Sequence, residues 1–277
     1  MGSAVASSAG TGLVCRKDFD HMAVEVLDIV ALLPARLHRT ALALSARLAD
    51  RMAAQRFPSH FRLGAPFGPG PGGPCEPHVS IFMLAVDDGD IDDVVRVTRR
   101  LAADLPALIA EGIHYRHNPV GAPELYFQKN AQWVDVQRTV IAEVEPFRRG
   151  RLRTFDPAGA RIQDLLSDPR EDRVRRSQLI RFGFDEVTEH WDPETTRPDD
   201  RFNPHVTLAW PVDPASRIDL TGLPPAREFS AMLTELAVYG MSPYGTCTTP
   251  YGTAPLNMDF GAAPDLARQV QGADLRT

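Results

Sequence analysis

Two short segments carry the residues able to do chemistry: Glu76-Pro77-His78-Val79-Ser80-Ile81 and Asn203-Pro204-His205-Val206-Thr207-Leu208. Each sets a histidine two residues before a hydroxyl, inside a run of β-branched and apolar residues that reads as a strand. Side chains at i and i+2 of a strand share a face, so His78 and Ser80 look one way together, as do His205 and Thr207. Imidazole has an ordinary pKa near neutrality, so one ring can take a proton from an attacking oxygen while the other gives one to a leaving oxygen. The two hydroxyls can donate hydrogen bonds to phosphate oxygens that gain charge in the transition state.

A lone His-x-Thr recurs by chance, whereas its repetition, with proline before each histidine and an apolar run after it, is far more informative. At these residues the chain resembles the two-histidine (2H) phosphoesterase superfamily, whose signature is a pair of His-x-Thr/Ser-x motifs on paired strands. The segment 201–209 is similar to the second of that family's motifs. The branch it resembles contains 2′-5′ RNA ligase-like proteins, cyclic nucleotide phosphodiesterases and enzymes that cleave 2′-5′ oligonucleotides. The resemblance implies an α+β fold of two pseudo-symmetric lobes, each an antiparallel sheet with packed helices, around a central cleft. It also implies metal-independent catalysis without a cofactor, by His78, His205, Ser80 and Thr207. Trp210 stands where ligase-like members carry a basic residue, a departure that puts the ligase-like substrate class in doubt. Its ring could stack on a base or cap the core. Arg181 is a second candidate for substrate, as a bidentate phosphate donor or as half of a surface ion pair.

Each motif is followed at a comparable interval by a strand, a turn and a return strand. After His78 these are 113–116, 118–121 and 125–128; after His205 they are 236–239, 241–245 and 246–248. A repeat of this kind implies two similar lobes whose motif strands lie side by side. The expected organisation is a disordered stretch at 1–14 and a single bilobal domain over 15–277. Within it, helices occupy 15–55, the first lobe 56–147, an arginine-rich insertion 148–177, the second lobe 178–260 and a tail 261–277.

The N-terminal helices are expected at 18–33 and 35–55, the latter with Leu37, Ala41, Leu44, Leu48 and Met52 on one face, packed on the sheet or free for a partner. Phe61-Arg62-Leu63 suggests a short strand, and the Gly/Pro run 64–74 a mobile loop leading into His78. Asp87, Asp88 and Asp90 open a helix with Ile91, Val94, Val95, Thr98 and Leu101 on its buried side. Another helix is expected at about 132–147, and a strand at 178–184. The insertion holds Arg148, Arg149, Arg151, Arg153, Arg170, Arg173, Arg175 and Arg176. They either guide an anionic substrate or form a solvated face with Asp164, Asp168, Glu171 and Asp172. The polar stretch 188–200 before the second motif reads as a long loop of the sort that carries specificity.

With 43% apolar residues, the 277-residue chain can build a sizeable core. A formal net charge of −6 argues against a broad basic surface for long nucleic acids, and favours a small phosphoester or nucleotide-sized substrate, with short RNA ends still open. Cys15, Cys75 and Cys247 are odd in number and scattered, which suggests free thiols rather than a disulfide framework, and their spacing matches no zinc site. No signal peptide or membrane span is written in the chain, so a cytoplasmic location is expected. Oligomeric state is not encoded in any feature of the sequence. The function so read is a metal-independent phosphodiesterase for a cyclic phosphate or a 2′-5′ linkage. Two alternatives stay open: the same cleft turned to isomerisation, elimination or cyclisation, and a nucleotide-binding module without turnover.

Overall fold

A computed structural model describes residues 23–68 and 72–258, so the expectations for 1–14 and 261–277 lie outside the described residues. The architecture is α+β: two four-stranded antiparallel sheets with helices packed on them. In chain order the elements are β1 (Val24–Leu32), α1 (Ala35–Ala54), β2 (His78–Asp87), α2 (Ile91–Asp104), β3 (Leu108–His117), β4 (Pro123–Phe127) and α3 (Ala131–Val144). There follow α4 (Ile162–Ser167), α5 (Arg173–Phe182), β5 (His205–Thr207), β6 (Ser230–Leu233), β7 (Glu235–Ser242) and β8 (Thr246–Pro255). No described helix is long and apolar enough to cross a membrane.

The first sheet has the order β2-β1-β7-β8 and the second β5-β4-β3-β6. Each motif therefore sits on an edge strand, and the two edges, β2 and β5, approach one another. The second sheet is contiguous in sequence, while the first is split between the start and the end of the described chain. The expected lobes 56–147 and 178–260 are thus corrected. The hairpin β3–β4 belongs with His205, and the hairpin β7–β8 belongs with His78. The helices α2, against β7 and β8, and α3, against β2, close the outer side of the first sheet.

Residues 24–32 form a strand where a helix was expected over 18–33; positions 18–22 lie outside the described residues. β1 lies between β2 and β7, and Leu27 to Ala31 are buried throughout. A strand buried on both faces loses its alternation and reads as a continuous apolar run, which periodicity alone cannot tell from a helix. In α1 the expected face is present, with Leu37, Ala41, Leu44, Leu48 and Met52 all buried in the main core rather than presented to a partner. Phe61 and Leu63 are buried but not in a strand.

Residues 173–182 are helical, not a strand at 178–184. The Asp172 carboxylate accepts the Arg175 amide at 2.8 Å as an N-cap, and Gly183 ends the helix in a left-handed conformation at φ 68°. Nor is the arginine-rich segment simply a solvated face. Arg148 and Arg153 are buried, and Arg148 donates to Glu145 and to the carbonyls of Arg151 and Arg181, holding the end of α5. Arg149 pairs with Asp87 and Asp90, Arg151 with Asp87, and Arg175 with Asp156, Glu171 and Asp185.

Candidate active site

On β2 the His78 Nδ1 lies 2.6 Å from the carbonyl oxygen of Glu76, and on β5 the His205 Nδ1 lies 2.7 Å from that of Asn203. A carbonyl only accepts, so each Nδ1 carries the proton and donates it. Each Nε2 is thereby freed for chemistry. The same local bend, closed two residues back along the chain, recurs in both motifs and orients both rings alike.

The strand next to each motif supplies a carboxylate. Ser80 Oγ donates to Asp28 Oδ2 at 2.7 Å, and the His78 Nε2 stands 3.7 Å from that oxygen. Across the cleft, Thr207 Oγ1 faces Glu124 Oε1 at 3.5 Å, and the His205 Nε2 is 3.7 Å from it. Both acids are buried: Asp28 is 0% and Glu124 3% exposed. Registers explain the placement, since Glu124 lies opposite Thr207 and Tyr126 opposite His205, while Val30, two residues from Asp28, lies opposite Ser80.

Three acids, Asp28, Glu124 and the cavity residue Glu186, were missed in the sequence. A carboxylate inside an apolar run, as in Val26-Leu27-Asp28-Ile29-Val30, was the available signal. It lay hidden while the segment read as a helix. Glu124 fell one residue outside the expected return strand.

The two frames match in shape but not in charge. Burial drives the His78 imidazole down to about 4, against its hydrogen bond to Glu76, and the nearby charge of His205 lowers it further. Burial acts on His205 in the same sense, but Glu124 and then Glu186 outweigh it and raise its pKa. Burial pushes Asp28 up to about 8, opposed by the hydrogen bond from Ser80, and pushes Glu186 up to about 7, opposed by His205. The buried Arg153 cation, which lies over the Phe184 ring, offsets part of the rise at Asp28.

His205 opens on a cavity of about 380 Å³ lined also by Met83, Glu124, Tyr126, Glu186, Arg201 and Trp210. His78 is not in its wall, though Met83 of the same strand is. The His78 and His205 side chains remain 11% and 18% exposed. The Tyr126 hydroxyl donates to Glu124, its ring sits 5.3 Å from that of His205, and the guanidinium of Arg116 lies over its face. Trp210 packs at 5.6 Å from Tyr244, which stacks in turn on His60 at 3.9 Å.

Of the two substrate candidates, Trp210 lies in the cavity wall, although it is only 7% exposed and packs in the main core, and Arg181 does not reach the cavity. Arg181 pairs with Glu189 and covers Phe182 on a separate surface depression. One further residue reaches the site unannounced: Cys247 on β8, whose Sγ is 3.6 Å from His78 Nε2 and 3.8 Å from Asp28 Oδ2.

No family model matches the chain, and no curated protein matches it. The structure is similar to the crystal structure of E. coli LigT complexed with NADP+, with TM-score 0.45 and 14% identity over 84% of this chain and 99% of that one. It is similar to E. coli LigT complexed with 3'-AMP at TM-score 0.45 and 13% identity, over 85% and 100% of the two chains. A crystal structure described as a phosphoesterase gives TM-score 0.44 and 13% identity, over 85% and 100%.

Proposed function

We propose that the protein hydrolyses a phosphodiester of nucleotide size, such as a cyclic phosphate or a 2′-5′ linkage, by two-histidine acid/base catalysis. The observation that carries this reading is the pair of matched frames on adjoining edge strands. In each, an imidazole with Nδ1 tied to a carbonyl frees Nε2 beside a hydroxyl.

The unequal surroundings support one assignment of roles. His205, raised by Glu124 and Glu186, holds its proton and serves as the general acid; His78, kept neutral by burial with its Nδ1 proton on the Glu76 carbonyl, has the Nε2 lone pair free to accept one. Water attacks phosphorus as its proton passes to His78 Nε2, and the P–O bond to the leaving ribose oxygen breaks as His205 protonates that oxygen. The phosphomonoester leaves, and proton exchange with solvent resets both rings. Ser80 and Thr207 serve the nonbridging oxygens by turning their hydroxyl protons from Asp28 and Glu124 to the phosphate, and Trp210 in the cavity wall is the flat surface for a base.

The test is turnover of 2′,3′-cyclic and 2′-5′-linked nucleotides by wild type, His78→Ala and His205→Ala. Each substitution should cost a few orders of magnitude in kcat. Unchanged turnover in either variant defeats the mechanism.

A second reading draws on the acids. Asp28, Glu124 and Glu186 around the two histidines repel a phosphate wherever they are ionised, and so suit acid/base chemistry on an uncharged substrate: isomerisation, elimination or cyclisation. Silence across the whole nucleotide panel, with both histidines intact and no nucleotide bound in calorimetry, favours this second reading.

A further inference from the structure

The structure holds a second arrangement at the same place that proton transfer does not use. Asp28 Oδ2, His78 Nε2 and Cys247 Sγ lie within 4.8 Å of one another and converge from three strands of the first sheet. Their separations are 3.7 Å from nitrogen to carboxylate oxygen, 3.6 Å from sulfur to nitrogen and 3.8 Å from sulfur to oxygen. A tetrahedral zinc, with bonds of about 2.0–2.1 Å to nitrogen and oxygen and about 2.3 Å to sulfur, holds such donors about 3.3–3.6 Å apart. The three atoms need close by only a few tenths of an ångström.

The groups behind the donors are also those a metal centre needs. Nδ1–H of His78 donates to the carbonyl of Glu76, which fixes the tautomer and aims Nε2 at the centre, and Ser80 donates to the ligating carboxylate oxygen. The other carboxylate oxygen, Asp28 Oδ1, is buried without a hydrogen-bond partner in a residue that is 0% exposed. An orphaned acceptor of this kind is costly, and a cation against the carboxylate relieves it. Cys247 and Asp28 are closed off by protein, so solvent reaches the three donors past the His78 ring, whose side chain is 11% exposed.

We propose that Asp28, His78 and Cys247 form a site for a thiophilic divalent cation such as zinc, and that its occupation silences the two-histidine reaction by capturing His78 Nε2. Coordination replaces the thiol proton of Cys247, which leaves to solvent, and takes the lone pair that would accept a proton from water. Binding stands on the geometry of the three donors alone; the loss of activity rests on the phosphodiesterase reading.

The two parts separate experimentally. Cobalt(II) titrated into the wild-type protein should give a thiolate-to-cobalt charge-transfer band and the intense visible bands of a tetrahedral centre, both removed by zinc. Cys75→Ser should keep the spectrum. Cys247→Ser should lose the charge-transfer band, and Asp28→Asn should weaken zinc binding by more than about 100-fold, beyond the range for changes behind a ligand. Circular dichroism identifies variants that keep the fold, and either folded variant suffices. Cobalt bands that are absent from folded wild type, or that survive in Cys247→Ser, overturn the site. Where the nucleotide assay is active, stoichiometric zinc should suppress it and a chelator restore it; zinc bound without suppression, or with activation, overturns the inhibitory role. Cobalt binding with a silent nucleotide assay upholds the site and counts against the phosphodiesterase reading instead.

Discussion

Glu124→Gln removes one negative charge 3.7 Å from His205 Nε2 and leaves the size and shape of the side chain almost unchanged. Glutamine keeps one oxygen to accept from Asn118, which donates to Glu124 Oε1 at 2.7 Å, while its amide group replaces Oε2, so the Tyr126 hydroxyl must turn from donating to accepting; β4 should keep its register. Two unit charges about 4 Å apart interact by about 4 kcal/mol where the effective dielectric is about 20. Water reaches an imidazole that is 18% exposed, so about half of this, roughly 2 kcal/mol, is a fair share to lose. That is a change of about 30-fold in the ratio of charged to neutral imidazole. Because the fold raises the pKa of His205, its acid form is fully present at low pH and is lost as pH rises through that pKa; removing Glu124 brings the loss to lower pH. The alkaline limb of kcat/KM for a 2′,3′-cyclic nucleotide should therefore move down, with about tenfold or more lost on that side. Titration of the His205 ring followed by NMR should move in step. A limb and a ring titration that both stay put would refute the assignment of His205 as the acid.

Glu186→Gln tests the same surroundings through stability. The fold raises this carboxyl from 4.5 to about 7, so the stability tied to its neutral form is present below 4.5 and is lost as pH rises toward 7, to at most about 3 kcal/mol. Urea unfolding at pH 5 and pH 8 should show a smaller loss in the variant than in wild type; equal losses would count against it. Trp210→Phe should raise KM for cyclic nucleotides several-fold and change kcat little, as expected if the indole stacks on the base, whereas a fall confined to kcat would point elsewhere. Gly112→Ala places a Cβ against the carbonyl oxygen of Ala226 where β3 bulges beside β4, and should destabilise by about 1–3 kcal/mol in thermal unfolding. A variant as stable as wild type would show that this contact yields freely.

What the sequence made legible follows from how each element is buried. The two motif strands, α1, α2, α3 and the β3–β4 hairpin carry local signals: alternation, a half-buried helical stripe, acids at a helix start, turn residues between apolar runs. β1 has none of these, because Leu27 to Ala31 are buried on both faces of the sheet, and with it went Asp28. The segment 178–184 alternates like a strand, yet the cap at Asp172 and the left-handed Gly183 decide for a helix. Cys247 was visible only as a thiol without partners. Nothing local tells that β8 lies in the same sheet as β2, since that neighbourhood is set by a hairpin that follows the second motif in the chain.

The exchange of hairpins also explains how a duplicated frame comes to hold unequal chemistry. The chain leaves the first sheet after β2, builds the whole second sheet, and returns through Thr234, the single residue between β6 and β7. Each motif strand is paired with one neighbour, so the bond that fixes each Nδ1 and the acid beside each Nε2 are matters of strand geometry and are the same in both halves. What differs comes from residues outside the two matched frames. β8 brings the thiol of Cys247 to His78, while the stretch after α5 brings the acid Glu186 to His205. A thiol adds no positive or negative charge in its protonated form, whereas a carboxylate adds one, and the protonated imidazole is favoured only where carboxylates face it without competing partners. The division of labour between the histidines thus arises outside the motifs, and exchanging charges there is the change that would reverse it.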